Sequence, residues 1–372
     1  MSFSSCTGNN TPENPQQEPK KEGTTPKKHF KIDDFFKADV NLDHIVDEWY
    51  NSLSDTQRVA QMIMTSAGQL GKPNNTVLKL VKNQQVGGVI FLKGQKTENK
   101  AFIDQLNQET AFPLWFAIDA EPSLFNSRVL GTDVTIPKTV DLKDSTAVAD
   151  AAHKIDAEIK EMGFQINFAP VVDLSPNNEA IKHRSFGSNP DSVIQKSSWF
   201  IEATQKDQVA ACIKHFPGHG YVTGDTHKQT VYIDGEFKEI GVYPPLIAEN
   251  VASVMVAHVT VQNNAAFNTD GKPASCSRNI VTELLRDSLG FEGIIFTDAM
   301  NMMAAVNSGE MGPLAAAKAG CDVILMPPNE PQLLQQILEL SQTDQAFATQ
   351  IENSIKRILR MKICLGLYQP KA

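Results

Sequence analysis

The sequence predicts an α/β fold, a single (β/α)₈ barrel of the TIM type with a tail at its N-terminus. Two observations carry this prediction. Short apolar runs alternate along the chain with longer segments whose apolar residues recur at helical spacing, and this alternation is typical of parallel βα units. The runs are eight in number, as the barrel requires, and they cover residues 61–65, 86–92, 114–119, 164–170, 209–215, 253–258, 293–298 and 322–326.

Segments of helical character separate these runs. Helices are predicted at 146–162, 191–206, 282–289 and 314–320, and a last helix is predicted at 344–365. The run at 61–65 is the least regular of the predicted strands. A doubly wound sheet is the alternative fold, but the G-x-G-x-x-G turn that typically follows its first strand is missing here.

Residues 1–38 are predicted to be a disordered tail, and residues 39–372 are predicted to form the barrel domain. The tail is rich in Pro, Asn, Gln, Glu and Lys and has no apolar period, so it cannot bury a core. Helical spacing begins at Asn41. Ser54 and Gln57 then form the pattern of a capping box, which predicts the start of a short second helix.

Charge and composition exclude several classes of partner. The 372-residue chain has a net charge of −9, so it offers no basic stripe to replace the counterions of a nucleic acid. It also lacks the run of about 18 apolar residues that a membrane span needs. Its five cysteines stand singly, which indicates neither a zinc ribbon nor a disulfide framework, and Cys212, Cys321 and Cys364 are expected in the core.

Cys6 bears on the compartment of the protein. It follows Phe3-Ser4-Ser5 and precedes a polar linker, which resembles the end of a bacterial lipoprotein signal, although the apolar segment of such a signal is missing. We therefore expect membrane anchoring only through a lipid on Cys6, in a periplasmic or outer-surface lipoprotein. A cytoplasmic protein with an incidental Cys6 stays open as the alternative.

The most informative stretch is 210–227, which reads AACIKHFPGHGYVTGDTH. Its apolar start predicts a buried strand that ends at Lys214 and His215, because the Pro-Gly pair that follows prevents a regular continuation. A loop then leads to Asp225 and His227. At that spacing in a loop, the carboxylate can hold and polarise the imidazole.

Other predicted strands also end in polar residues. Catalytic groups of a (β/α)₈ barrel lie at the carboxyl ends of its strands. Each polar residue could be only a helix cap, but five of the eight strand ends carry one. Besides Lys214 and His215, the residues concerned are Asp119, Asn167, Asp173, His258 and Asp298. Of these, we expect His258 to fill the mouth of the barrel and Asp173 to order its loop.

Asp298 is the candidate nucleophile. A single carboxylate at the end of an apolar strand is ionised at neutral pH and can attack an electrophilic carbon. The leaving group then needs an acid/base partner, and His227, held by Asp225, is the candidate because histidine donates and accepts protons near pH 7. Hydrogen bonds and charge for a hydroxyl-rich substrate are expected from Asp119, Arg128, Arg184, Lys214 and His215.

These residues resemble glycoside hydrolase family 3, and specifically its β-N-acetylglucosaminidase branch. The resemblance extends from about Leu53 to Leu367 and rests on NFAPVVD at 167–173, RSFG at 184–187, KHFPGHG at 214–220, DTH at 225–227 and TDAM at 297–300. The pairing of KHFPGHG with DTH is its specific part, since most β-glucosidases of the family lack that loop and use a Glu from a second domain. The LGLY sequence at 365–368 resembles the segment that closes the family's barrel, so we expect the acid/base to come from the barrel itself.

The resemblance implies a role for each residue. Asp298 matches the family nucleophile, His227 the acid/base and Asp225 its dyad partner. Asp119, Arg128, Arg184, Lys214 and His215 match sugar-binding positions. The implied activity is that of a retaining exo-β-N-acetylglucosaminidase, a β-N-acetylhexosaminidase, which releases terminal non-reducing GlcNAc from peptidoglycan fragments or related oligosaccharides. It requires no metal and no organic cofactor, and we expect a monomer.

The chain departs from the family pattern at two places. Many relatives carry Asp-Gln-Glu-Gly-Gly-Arg-Val after the third strand, whereas this chain reads DAEPSLFNSR at 119–128, which displaces Arg128 by several residues. Many relatives also have an Asp two residues after the dyad histidine, where this chain has Gln229. Fewer matching residues therefore support the equivalence of Arg128 and the selectivity for the N-acetyl group than support the assignment of Asp119.

Three rival functions stay open. The first is a β-glucosidase or GlcNAc phosphorylase of the same family; for phosphorolysis, a neutral histidine would not repel a phosphate acceptor. A non-catalytic glycan-binding barrel would share the fold, but such binders usually lose the nucleophile or the dyad. A metallohydrolase would use His215, His219, Asp225 and His227, although an HxxxH pair needs one helical face, which the Pro-Gly between the first two prevents.

Overall fold

Eight parallel strands form the centre of the fold. The structure is a computed structural model and describes residues 1–5, 8, 29–174, 179–222, 231–302 and 312–368. The strands are β1 (Ile63–Ala67), β2 (Gly88–Phe91), β3 (Trp115–Ile118), β4 (Ile166–Asn167), β5 (Ala210–Phe216), β6 (Ser253–Val256), β7 (Ile294–Thr297) and β8 (Ile324–Leu325).

The strands close into a barrel. Neighbours along the chain pair with one another from β1 to β7, and β8 pairs with β1 in the register Ile63↔Ile324. The remaining gap between β7 and β8 is bridged by Phe296↔Val323, and the Thr297 N–H donates to the Val323 carbonyl at 3.0 Å. Closure excludes the doubly wound alternative, because that sheet is open and has two edges.

Each of the eight predicted runs overlaps one strand of the barrel. The irregular first run is a genuine strand that begins at Ile63 rather than at residue 61, and all five of its residues are buried. The prediction of a (β/α)₈ barrel is therefore confirmed.

Helices cover the outside of the barrel. They are α1 (Ile32–Phe35), α2 (Val40–Ser52), α3 (Asp55–Ala60), α4 (Asn74–Lys82), α5 (Lys96–Glu109), α6 (Pro122–Arg128), α7 (Ser145–Met162), α8 (Pro190–Lys206), α9 (Tyr243–Ala248), α10 (Gly312–Ala319), α11 (Glu330–Thr343) and α12 (Gln345–Cys364). The predicted helix at 282–289 is instead a π-helix, Asn279–Ser288. Two short strand pairs, Gly94–Gln95 with Val129–Leu130 and Tyr232–Asp234 with Thr260–Gln262, lie outside the barrel.

The N-terminal boundary of the folded region lies earlier than predicted. Helix α1 falls inside the segment 1–38, which the sequence predicts to be a tail, and its Ile32 and Phe35 are buried against α12. Two apolar residues in a four-residue helix are too short a pattern to reveal helical periodicity, which explains the difference. Ser54 and Gln57 do form the predicted capping box at the start of α3.

The sequence also makes predictions about membrane spans, about Cys6 and about the buried cysteines. None of the helices in the described ranges has the length and apolar character needed to cross a membrane. Cys6 lies outside the described residues, so its acylation stays a prediction. Cys212, Cys321 and Cys364 are buried in the core, as predicted.

The amino ends of the strands are joined by one buried lysine. The Lys362 ammonium, on α12, donates to Gln61 Oε1 at 2.6 Å, to the Gly87 carbonyl at 2.9 Å and to the Pro113 carbonyl at 2.8 Å. These three acceptors precede β1, β2 and β3. Burial lowers the pKa of Lys362 well below its ordinary value. Lys362 therefore has a structural role at the amino end of the barrel. The candidate catalytic residues lie at the carboxyl end.

Candidate active site

The carboxyl ends of the strands bring the predicted residues to one rim. Asp119 follows β3 directly, Lys214 and His215 lie near the end of β5, and Asp298 follows β7 directly. The register aligns these positions, since Lys214 pairs with Met255 of β6 and Met255 pairs with Phe296 of β7. Residues scattered over the sequence therefore meet at the mouth of the barrel.

A cluster of four charged side chains occupies this rim. Lys214 Nζ lies 2.7 Å from Asp119 Oδ1 and 3.2 Å from Glu121 Oε2. Glu121 also forms a two-pronged ion pair with Arg184, through Nε and, at 3.3 Å, through Nη2. Two carboxylates and two cations thus neutralise one another, which offsets the cost of their burial.

The charges of this rim cluster are held in place electrostatically. Burial alone would raise the pKa values of Asp119 and Glu121, but the Lys214 ammonium and the neighbouring guanidinium groups outweigh it and lower both. Burial likewise opposes the charge of Lys214 and Arg184, yet the carboxylates raise the pKa of each. All four groups therefore stay ionised around neutral pH.

Exposure shows which members of the rim cluster face a ligand. The Asp119 side chain is 20% exposed, whereas those of Lys214 and Glu121 are 2% and 0% exposed. Asp119 can thus accept hydrogen bonds from hydroxyl groups at the mouth. An ammonium has three N–H donors. Within the described ranges, Lys214 Nζ donates a hydrogen bond to Asp119 Oδ1, and its contact with Glu121 Oε2 is an ion pair.

His215 is oriented by a buried carboxylate. Its Nδ1 lies 2.7 Å from Asp173 Oδ2, and its backbone N–H donates to Asp173 Oδ1 at 3.1 Å. Asp173 is 1% exposed, and its carboxylate binds the chain at and after the end of β5. Burial would raise the pKa of Asp173, but the effect of His215 is larger and lowers that pKa. Because Nδ1 is bound to Asp173, Nε2 is the ring nitrogen that His215 can offer to a ligand.

Asp298 lies half-buried at the end of β7. Its backbone N–H donates to the Val256 carbonyl at 2.9 Å, and its Oδ1 accepts from the Ala299 N–H at 2.7 Å. Burial raises the pKa of the Cys212 thiol on β5 to about 12, and the Asp119 and Asp298 carboxylates add to that shift. The Asp119 and Asp298 carboxylates are therefore both close enough to Cys212 to influence it electrostatically.

His258 supports the segment after Asp298. It is fully buried, its Nδ1 lies 2.8 Å from the Ser275 hydroxyl, and its Nε2 lies 3.0 Å from the Ala299 carbonyl. The carbonyl can only accept, so Nε2 carries a proton and donates to it. These contacts agree with the expectation that His258 fills the barrel mouth.

Arg128 sits apart from the rim cluster. Its Nη1 donates to the Leu92 carbonyl, at the end of β2, at 2.6 Å. It is nevertheless near enough to Asp119 to contribute to the lowered pKa of that residue. Its location at the end of α6, rather than in the loop after β3, agrees with its displacement in the sequence.

Two of the predicted residues, Asp225 and His227, lie in 223–230, outside the described residues. The roles of this pair stay predictions.

Two buried glutamates belong to the site although the sequence does not reveal their roles. Glu121 has a weak signal, since it stands two residues after Asp119 and directly before the first turn of α6. Glu239 has none, because its segment shows no apolar period. Its carboxylate accepts N–H groups from Leu174, Gly220 and Tyr221.

Metal binding has no support in the described ranges. Among the described residues, no group of three or more His, Cys, Asp or Glu side chains is arranged to hold a metal ion. Of the four ligands of the metallohydrolase alternative, Asp225 and His227 lie outside those ranges. His215 Nδ1 is bound to Asp173.

Comparison with known proteins places this geometry in a family. The chain is 29% identical to β-hexosaminidase A of Pseudoalteromonas piscicida, with 76% of this chain and 54% of the relative aligned. It is 30% identical to a β-hexosaminidase of Photobacterium profundum, over 72% of this chain and 82% of the relative. A solved glycoside hydrolase family 3 β-N-acetylglucosaminidase from Paenibacillus sp. str. FPU-7 superposes with a TM-score of 0.77 and 27% identity, covering 86% of this chain and 64% of the other.

The chain thus spans about half the length of the first relative and most of the second. The family model of the glycosyl hydrolase family 3 N-terminal domain matches residues 55–361, which include every described residue of the rim. The chain belongs to glycosyl hydrolase family 3.

Proposed function

We propose that this chain is a retaining, exo-acting β-N-acetylhexosaminidase that releases terminal non-reducing N-acetylglucosamine. The observation that carries the proposal is the meeting of Asp119, Lys214 and Asp298 at the carboxyl rim of a closed family 3 barrel. The β-hexosaminidases among its relatives support the choice of an N-acetylhexosamine substrate.

In this proposal the rim cluster binds the terminal sugar. Asp119 accepts hydrogen bonds from sugar hydroxyls, and Lys214 Nζ and His215 Nε2 reach further hydroxyls. Arg184 acts through Glu121, whose carboxylate it shares with Lys214. Hydrogen bonds to charged groups are strong and directional, so this arrangement favours a hydroxyl-rich ring over an apolar ligand.

The reaction proceeds in two displacements. Asp298 attacks the anomeric carbon and forms a glycosyl ester, while His227 gives its proton to the departing aglycone oxygen. Neutral His227 then takes a proton from water, whose oxygen attacks the same carbon and breaks the ester bond. The sugar leaves with its original configuration, and both side chains return to their starting states. Asp225 polarises His227 in both steps.

The natural substrate in this proposal is a peptidoglycan fragment or a related oligosaccharide with a terminal GlcNAc. The protein requires no metal or organic cofactor for these steps.

The experiment is a side-by-side assay of aryl β-GlcNAc, β-GalNAc and β-Glc, with and without inorganic phosphate. We expect hydrolysis of β-GlcNAc at the highest kcat/KM, and proton NMR should show the β-anomer as the first product. Preference for β-Glc, a sugar phosphate as the main product, or an α-anomer first would contradict the proposal. A chelator should leave the rate unchanged. An inactive but ligand-binding protein would indicate the non-catalytic alternative.

A further inference from the structure

One buried carboxylate remains outside the roles assigned so far. Glu239 is 4% exposed and lies on the segment that follows the short strand Tyr232–Asp234. It precedes the 3₁₀ turn Ile240–Val242. Its residue type alone would place it on the surface, because glutamate is almost never fully buried unless it is paired.

The partners of Glu239 in the described chain are backbone N–H groups. Oε1 accepts from Leu174 at 2.6 Å and from Gly220 at 3.2 Å, and Oε2 accepts from Gly220 at 2.9 Å and from Tyr221 at 3.2 Å. A carboxylate that binds two consecutive N–H groups fixes the direction of the backbone there, since each hydrogen bond is angle-dependent.

The backbone is shaped to fit this carboxylate. Gly218 has a φ of +133°, and a Cβ at this position would lie 2.6 Å from Glu239 Oε2. A Cβ on Gly220 would lie 2.6 Å from Oε1 and 2.3 Å from the Leu174 carbonyl oxygen. Both glycines are therefore required by the close approach of the chain to Glu239, as well as by the turn itself.

The same stretch is held on its other side by Asp173. That carboxylate binds the backbone N–H of His215 and, at 2.9 Å, the N–H of His219. Leu174, which donates to Glu239, follows Asp173 directly. Two buried carboxylates therefore bind the chain from His215 to Tyr221, Asp173 at His215 and His219 and Glu239 at Gly220 and Tyr221.

We propose that Glu239 is a positioning residue for proton transfer. It binds the stem formed by Gly218–Val222, and the chain continues from this stem to Asp225 and His227. This inference rests on the proposed function, because it takes His227 as the acid/base. Proton transfer requires the donor within hydrogen-bond reach of the leaving oxygen, so a displaced stem would cost rate mainly where protonation is needed.

The test compares Glu239→Gln with Glu236→Gln, an exposed glutamate on the same segment. Gln keeps the size of the side chain but places an NH₂ group against backbone N–H donors. Each variant is assayed on an aryl β-GlcNAc with a good leaving group and on a GlcNAc disaccharide. We expect Glu239→Gln to lose about 10- to 100-fold in kcat on the disaccharide, a fraction of what general acid catalysis provides, and to lose little on the activated glycoside. Glu236→Gln should match the wild type on both.

A double variant isolates the route of the effect. If Glu239 acts through His227, Glu239→Gln should cost nothing further on the disaccharide once His227→Ala is present. Multiplying losses, or equal losses on both substrates, would overturn the inference. If His227→Ala alone shows no dependence on the leaving group, the acid/base assignment fails instead, and the two failures are thereby distinguished.

Amide hydrogen exchange gives a readout independent of activity. Glu239→Gln should speed exchange at Gly220 and Tyr221 while leaving the strand β5 amides protected. Unchanged exchange at both would overturn the positioning role. If the Gln variant does not fold, Glu239→Asp replaces it, since it keeps the carboxyl group and shortens the reach. The same pattern of substrate dependence and exchange is expected for that variant.

Discussion

At the scale of single residues, the proposed mechanism gives Asp119 a binding role and Asp298 a reacting role. Asp119 has its charge balanced by Lys214 at 2.7 Å and belongs to a neutral cluster, whereas Asp298 lies at another strand end. A carboxylate paired with a cation is a weaker nucleophile, because part of its charge is shared. Its oxygens still accept strong hydrogen bonds, because they remain ionised. The two aspartates should therefore respond differently to removal of their charge.

Asp298→Asn should remove nearly all turnover, by roughly 10³-fold or more, the scale expected when a nucleophile is lost. The amide cannot form the glycosyl ester, and the hydrogen bond from Ala299 to the side-chain oxygen can persist, so the fold should survive. Steady-state kinetics and circular dichroism provide the measurement. Asp287→Asn, at an exposed position, is the control. Retention of more than a tenth of the activity would contradict the assignment.

Asp119→Asn should lower kcat/KM by about 10- to 100-fold, since a hydrogen bond involving a charged group contributes about 1.5–3 kcal/mol. Thermal stability should fall only modestly, because Lys214 keeps its ion pair with Glu121 at 3.2 Å. Kinetics and thermal unfolding measured on the same sample check both statements. A variant with wild-type kcat/KM would show that Asp119 does not contact substrate.

At the scale of elements, helix α7 carries a buried acid to which the proposed mechanism gives no role. Asp156 is fully buried, and the nearby Thr204 hydroxyl offsets only part of the effect of burial on its pKa. Burial raises its pKa to about 8. The unfolded chain releases this proton near pH 4, so between about pH 4 and pH 8 the folded state binds more protons. Stability from this group therefore falls as pH rises through that window.

Asp156→Asn should remove this slope, because the amide stays neutral. Relative to the wild type, the free energy of unfolding of the variant should increase by on the order of 1 kcal/mol per pH unit as the pH rises from 5 to 8. Urea denaturation midpoints at several pH values provide the measurement, with the exposed Asp150→Asn of the same helix as control. Parallel curves for Asp156→Asn and the wild type would show that Asp156 is ionised in the folded protein.

Helix α12 joins the opposite end of the barrel through Lys362. Lys362→Met keeps most of the side-chain volume but leaves Gln61 Oε1 and the carbonyls of Gly87 and Pro113 without their donor. Buried groups left unsatisfied cost about 1–3 kcal/mol each, so we expect a net loss of a few kcal/mol and a lower Tm. At a temperature where the variant is folded, KM should be unchanged. An altered KM with an unaltered Tm would contradict the account in which the amino end of the barrel stabilises the fold and the carboxyl end binds substrate.

At the scale of the whole molecule, much of the architecture could be predicted because a parallel barrel repeats one simple unit. Each strand is buried on both faces, so it appears as a continuous apolar run, and each run ends where polar loop residues begin. The irregular run near Ile63 was still a strand, since pairing with both β2 and β8 overrides its weak propensity. The π-helix Asn279–Ser288 could not be foreseen, because its apolar spacing resembles that of an α-helix.

The candidate site was predictable where a residue stands at a strand end. Asp119, Lys214, His215 and Asp298 belong to this class, and the closure of the barrel brings their strands together. The partners of these residues were harder to foresee, because an ion pair depends on tertiary packing rather than on sequence spacing. Glu121 contacts Lys214 from the position just before α6, and Glu239 binds Gly220 although the two are 19 residues apart in the sequence.

The central claim is that Asp298 forms a covalent bond to the anomeric carbon while His227 moves the proton. A slow 5-fluoro N-acetylglucosaminyl fluoride tests it most directly, because such a substrate forms the ester faster than the ester is hydrolysed. Peptide mass spectrometry of the inactivated protein should find one sugar on Asp298. A label on any other residue, or no label while sugar is still released, would contradict the account.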